Sequence, residues 1–142
     1  NAVASAAAVN LLEVMRREPF ADVFALYNSD PSDDPGGAGT AAGNRLAVAG
    51  LDPAADAADG KHIEVFFPTF DDPGTGLQLR EDRPDATLGT PRDLSGDSLI
   101  DGEDHAGDYL ILPVHLRVRW ASGRRARQLD MTTMLCELEK DP

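Results

Sequence analysis

Between Asp93 and Asp104 the chain places oxygen-bearing side chains at positions 1, 3, 5, 9 and 12 of a twelve-residue stretch: Asp93, Ser95, Asp97, Asp101 and Asp104. This is the ligand spacing of an EF-hand loop, in which hard Ca²⁺ gathers six to eight oxygens, one of them the backbone carbonyl of position 7. That carbonyl belongs to Leu99. Two positions depart from the pattern: Ser98 stands where the sharp turn takes glycine, and Ser95 where Asp or Asn is usual. Pro91 and Gly107 leave poor helices on either side. A solvated acidic loop has the same Asp/Gly/Ser content, so the sequence leaves both readings open.

Other reactive residue types form weaker patterns. Asp30, Asp33 and Asp34, then Asp71 and Asp72, then Glu81, Asp82 and Asp85 could pair carboxylates for acid–base work. Such work needs burial to raise one pKa. Their Gly, Pro and Thr neighbours predict solvated turns instead. His62, His105 and His115 share no metal-binding spacing, and a zinc site would need Cys136 or carboxylates brought in by folding. His115 is expected to be exposed on a polar strand face, and Cys136 to be a half-buried small apolar residue. No Gly-x-Ser-x-Gly elbow occurs, and the Gly36–Gly39 run lacks the lysine of a phosphate loop.

The chain has 142 residues, 13 Lys+Arg against 25 Asp+Glu, and a net charge of -12. A surface this acidic repels phosphate and excludes an electrostatic nucleic-acid binder. The 42% hydrophobic content is too high for a disordered acidic tail. The single Cys136 excludes an internal disulfide and a multi-cysteine zinc site. No apolar run approaches the roughly 18 residues of a membrane-spanning helix. Residues 1–108 carry 7 basic and 21 acidic groups, whereas residues 109–142 carry 6 and 4. The basic end gathers Arg117, Arg119, Arg124, Arg125 and Arg127. It reads as a solvated hairpin face or as a patch complementary to an acidic neighbouring subunit.

The periodicity predicts the elements that carry these residues. Ala4, Ala8, Leu11 and Met15 make an apolar stripe over residues 2–17, and Phe20, Val23, Phe24 and Tyr27 continue it beyond a kink at Pro19. Residues 46–51 and 62–67, with 77–80 more weakly, read as short strands. Val114, Leu116, Val118 and Trp120 alternate with His115, Arg117 and Arg119. A turn at 121–124 leads to a second alternating run, 129–135, and so to a hairpin. The expected fold is α+β, a single domain whose kinked N-terminal helix packs on an antiparallel sheet. Its parts are helix at 1–28, an acidic loop-rich region at 29–108 and the hairpin at 109–138.

The helical stretch 8–18, the strand His62–Pro68, and the segments Leu79–Asp82, Pro91–Leu94 and Leu112–Val114 occur in an order that resembles a known family, as does the ending from Val118–Trp120 to Leu129–Leu135. They are similar to type IV pilin-like proteins, the minor pilins and the pseudopilins of type II secretion. The resemblance implies a long N-terminal helix whose first part is membrane-embedded and packs a filament core, under a head with an antiparallel sheet. The chain opens on Asn1-Ala2 within helical sequence and so reads as cut in mid-helix. The implied role is a non-enzymatic assembly subunit, anchored in the inner membrane with a periplasmic or extracellular head. Its expected partners are other pilin-like subunits, with no nucleic acid, and an isolated head is expected to be monomeric or weakly associated. Some members bind calcium in head loops, which supports calcium at Asp93, Ser95, Asp97, Leu99, Asp101 and Asp104. Arg117, Arg119, Arg124 and Arg125 are the expected partner contacts. Two alternatives come from other classes: a secreted calcium-binding adhesion module, and a periplasmic hydrolase using the acidic loops.

Overall fold

The computed structural model describes residues 1–57 and 59–137; residue 138, the end of the expected hairpin region, lies outside them. Helix α1 spans Ala2–Arg17. The Asn1 side chain accepts hydrogen bonds from the Val3 and Ala4 amides, satisfying two otherwise unpaired donors, while Arg16 and Arg17 favour the carbonyl end. Pro19 disfavours helix at the residue before it, and Glu18 is extended at φ -71° and ψ 155°. The expected kink is therefore a break. A 3₁₀ turn at Phe20–Asp22 and the short helix α2, Val23–Tyr27, follow it.

Four antiparallel strands form the main sheet in the order β1 (Arg45–Leu46), β2 (Ile63–Phe66), β5 (Ile111–Ser122), β6 (Arg125–Cys136). Strands β3 (Thr69–Asp72) and β4 (Gly76–Leu79) pair separately. The β5–β6 register runs from Ile111 opposite Cys136 to Ser122 opposite Arg125, so only Gly123 and Arg124 form the loop. Gly123 takes φ 62° at the first loop position, where a type II′ hairpin turn needs glycine. The fold is α+β, as expected: α1 buries Ala4, Ala8, Leu11, Leu12 and Met15 in one core with Leu112, Val114, Leu116 and Val118 of β5.

Three expectations change. Only Arg45 and Leu46 of the first predicted strand region pair as strand. The following segment is clamped by His62 instead: its Nδ1 accepts from the Val48 amide, so its Nε2 carries the hydrogen and donates to the Leu51 carbonyl. His115 is buried, stacked on Phe66 and 2.6 Å from Asp130, because the polar face of β5 is covered at this point. Cys136 is exposed, since β6 is an edge strand. Strand β3, too polar to read as one, pairs with β4 through its backbone.

The junction after α1 is tied by Tyr109, whose hydroxyl accepts from the Phe24 amide and donates to the Phe20 carbonyl. Phe24 is 1% exposed and meets Phe67 edge-on at 5.3 Å. Truncating a ring this enclosed leaves a cavity, so Phe24→Ala is expected to cost about 3–5 kcal/mol in urea unfolding. An unchanged midpoint would remove this ring from the core.

Candidate metal centre

Glu81 continues the inward parity of Leu79 just beyond β4, and its side chain is fully buried. A carboxylate removed from water needs compensating donors or cations. Its Oε2 accepts from the Leu94 amide at 2.8 Å, and its Oε1 accepts from the Asp101 amide at 3.3 Å and lies 2.7 Å from His105 Nε2. His105 Nε2 is also 2.7 Å from Asp101 Oδ1, and its Nδ1 is 2.9 Å from Asp108 Oδ1. Backbone bonds lock this arrangement: the Arg92 amide donates to the Glu81 carbonyl, and the His105 amide to that of Leu79.

The loop from Asp93 wraps over Glu81 from the other side. Asp93 Oδ1 accepts from the Gly96 amide at 2.9 Å, and Oδ2 from the Ser98 amide at 2.7 Å. Burial works against ionisation of Asp93, but these amides outweigh it and hold its pKa below the usual carboxylate value. Asp101 is lowered by the Glu103 amide and by His105. Ser98 adopts φ 68°, the left-handed conformation in which an EF-hand loop places its glycine. The loop thus turns where the motif demands, with a residue that pays roughly 1–2 kcal/mol for doing so.

Ligand atoms of Glu81, Asp101 and His105 lie within 4.8 Å of one another, and so do those of Glu81, Asp93 and Asp97. Glu81 belongs to both groups. This buried Glu/Asp/His cluster can hold a metal ion. Opposite oxygens around a Ca²⁺ ion with bonds near 2.4 Å are about 4.8 Å apart, so the cluster is of the size a single cation spans.

Of the predicted ligands the structure brings Asp93 and Asp97 to Glu81 in one group and Asp101 to it in the other, and places the rest differently. Asp104 Oδ1 accepts from the Leu79 and Ala106 amides at 3.0 Å each, so position 12 of the motif serves as a backbone clamp outside both groups. Ser95 Oγ turns to Asp93 at 3.4 Å, and the exposed Leu99 donates its amide to Asp97. The two residues absent from the sequence-based set are Glu81 and His105. Glu81 was expected in a solvated turn; the signal that could have found it is the two-residue period of Leu77, Leu79 and Glu81. Nothing in the local sequence distinguishes His105.

The predicted partner arginines divide in two. Arg117 Nε is 3.1 Å from Asp130 and Arg119 lies 2.7 Å from Asp56, so both have partners within the chain. Arg124 and Arg125 sit exposed at the hairpin turn, outside any ion pair among the described residues.

No protein-family model, curated protein or solved structure matches this chain.

Both His105 nitrogens face carboxylates, and both can donate only from the imidazolium. Burial favours the neutral ring, but hydrogen bonds to Asp108 and Asp101 and the charge of Glu81 outweigh it, raising the pKa from 6.5 to about 8. A raised folded-state pKa gives stability that is complete below the unfolded value and is lost as pH climbs through the folded one. With cations chelated, the unfolding free energy is therefore expected to fall between pH 6.5 and about 8. His105→Gln should flatten that slope, and an equal slope in the variant would show that another group titrates.

Proposed function

We propose that this chain is a non-enzymatic assembly subunit of a type IV pilus-like or type II secretion filament, the head of a minor pilin or pseudopilin, with its 93–104 loop held by calcium. The observation that carries the assembly role is the outer face of α1. Its inner face fills the core, yet Val3, Val9 and Val14 remain 42%, 43% and 40% exposed on the other side. Over residues 2–9 the exposed side is apolar apart from Ser5, before Asn10, Glu13, Arg16 and Arg17 make it polar, and an exposed apolar stretch on a helix already packed on its other side is a surface that a partner can cover. The exposed Ala2 and Ala6 among the valines let another helix approach closely. Among the described residues no helix is long and apolar enough to cross a membrane. In this reading the inner-membrane anchor is helix preceding Asn1, and the head is periplasmic or extracellular.

Calcium is favoured by the donor chemistry. Glu81, Asp93, Asp97 and Asp101 offer only hard oxygens, and His105 is already directed at carboxylates on both sides. With Ser95 in place of an acidic ligand, the dissociation constant is expected on the order of 10⁻⁴ M, the weak extracellular range.

Assembly is tested in the full-length protein expressed with its co-encoded pilin-like partners. Val3→Arg with Val14→Arg should abolish incorporation into filaments, while changing head stability by no more than about 0.5 kcal/mol per exposed site. Normal incorporation would defeat the helix-packing role. The metal is tested by thermal melting in CaCl₂, MgCl₂, ZnCl₂ or EDTA. At a hundredfold excess over the dissociation constant, calcium should stabilise wild type by about 2.7 kcal/mol and Asp97→Ala much less. A response to zinc alone would assign the ion to Glu81, Asp101 and His105; identical curves in calcium and EDTA would remove it.

A further inference from the structure

The largest exposed apolar side chains outside α1 are Leu99, Ile100 and Leu110, at 66%, 51% and 46% exposure. They belong to one end of the molecule. The Leu110 amide donates to the Leu94 carbonyl, and Leu110 Cδ1 comes within 2.9 Å of where a side chain on Gly96 would begin. Leu99 and Ile100 lie between two members of the metal cluster, Asp97 and Asp101, and exposed acids surround them. Adjacent exposed leucine and isoleucine in a loop otherwise made of Asp, Ser and Gly bury nothing in this head. Such a patch in a polar rim has the composition of an interaction site.

The other end of β5 has the opposite character. From Ile111 to Ser122 the strand runs roughly 35 Å at about 3.3 Å per residue, ending at the hairpin turn. Beside that turn is a cavity of about 420 Å³ lined by Asn1, Trp120, Ser122, Arg127, Gln128 and Leu129. Its two apolar lining residues are Trp120, only 7% exposed, and the half-buried Leu129. Arg127 lines it and Arg124 and Arg125 stand at the neighbouring turn, all three exposed and outside any ion pair among the described residues.

We propose that these two ends are the halves of one interface, so that copies of this chain associate head to tail, with Leu99 and Ile100 of one copy seated on Trp120 and Leu129 of the next. An acidic rim meets a basic one, and apolar meets apolar. Neither half suits a second copy of itself, because like charges would face each other. The contact is therefore heterologous and repeats along the direction of β5, which yields open chains rather than a closed dimer. At 0.15 M salt the Debye length is about 8 Å, which screens the overall negative charge while leaving pairs at contact distance in place. The proposal rests on the reading of the 93–104 loop as cation-held: the ion fixes the loop before docking, so its ordering entropy is not lost in the contact.

Sedimentation equilibrium of this chain up to about 1 mM, in 0.15 M NaCl with 5 mM CaCl₂ or EDTA, tests it. Calcium-bound wild type should form concentration-dependent oligomers, with a dissociation constant on the order of 10⁻⁴ to 10⁻³ M as for small transient interfaces. EDTA should weaken that about tenfold. Leu99→Ser with Ile100→Ser, and separately Arg124→Glu with Arg125→Glu, should each be monomeric alone. Their equimolar mixture should give a dimer and nothing larger, because one variant keeps an intact tip and the other an intact loop. Monomeric calcium-bound wild type, variants that self-associate normally, or a mixture that stays monomeric would overturn the interface. Calcium titration of wild type and the Leu99/Ile100 variant separates the two readings. Binding retained with association lost leaves the metal site standing and assigns the contact to the side chains. No binding by wild type defeats the calcium reading, and association equal in calcium and EDTA overturns the coupling proposed here.

Discussion

Burying the Glu81 carboxylate is the constraint from which the acidic half of the molecule takes its shape. A charge with no exposed surface must be met by donors, and the donors come from two separate stretches: the Leu94 amide from one, the Asp101 amide and the His105 ring from the other. Meeting them fixes the extension of β4 against residues 91–94 and 101–105, although only residues 76–79 of this region are strand. The result is order in a segment of Asp, Gly and Ser that has little apolar surface to bury. The same convergence that satisfies Glu81 brings Asp101 to it in one group and Asp93 and Asp97 in the other, and the repulsion among the carboxylates of a group is what a cation relieves. His105 is the cluster's internal cation, and a bound ion adds to or replaces that charge.

Strand β5 connects this region to everything else. Leu112, Val114, Leu116 and Val118 face α1, whereas His115 and Arg117 face the opposite side with Phe66. On that side Asp130 is the shared acceptor. Burial would raise its pKa, but hydrogen bonds from Gln128, His115 and Arg117 lower it to about 2. A carboxylate held this firmly keeps Arg117 within the head. Arg124 in the two-residue loop and Arg125 in the last sheet pair are left as the outward cations of the hairpin.

How much of this could be read from residues alone depends on how local its cause was. The stripe of α1 and the alternation of β5 are short-range patterns, and both elements formed where their period placed them. The break at Pro19 followed from the local rule that the residue before proline avoids helix, although the chain turned there more sharply than a kink. Residues 47–51 looked like strand because they are apolar, but the Val48 amide and the Leu51 carbonyl are met by the ring of His62, a contact that sequence spacing does not display. The metal cluster divides the same way. Asp93, Asp97 and Asp101 follow a loop spacing and were legible. Glu81 and His105 enter through the packing of β4 against the loop, and Asp104 leaves because the Leu79 amide, 25 residues away, claims its oxygen.

No buried side-chain nitrogen or oxygen lacks a hydrogen-bond partner among the described residues, so the head's interior is complete in itself. Three features stand out on its surface: the valines of α1, the Leu99–Ile100 pair on the metal loop, and the arginines at the hairpin turn. None of them helps the head to fold. Exposed apolar side chains are a liability in a protein that works alone, and a basic tip on a chain of net charge -12 is a local reversal of its field. The three features lie on different faces, α1 along its length and the other two at opposite ends of β5. In the assembly proposed above, neighbours beside, above and below each copy would cover these three surfaces, whereas a single binding partner would cover only one.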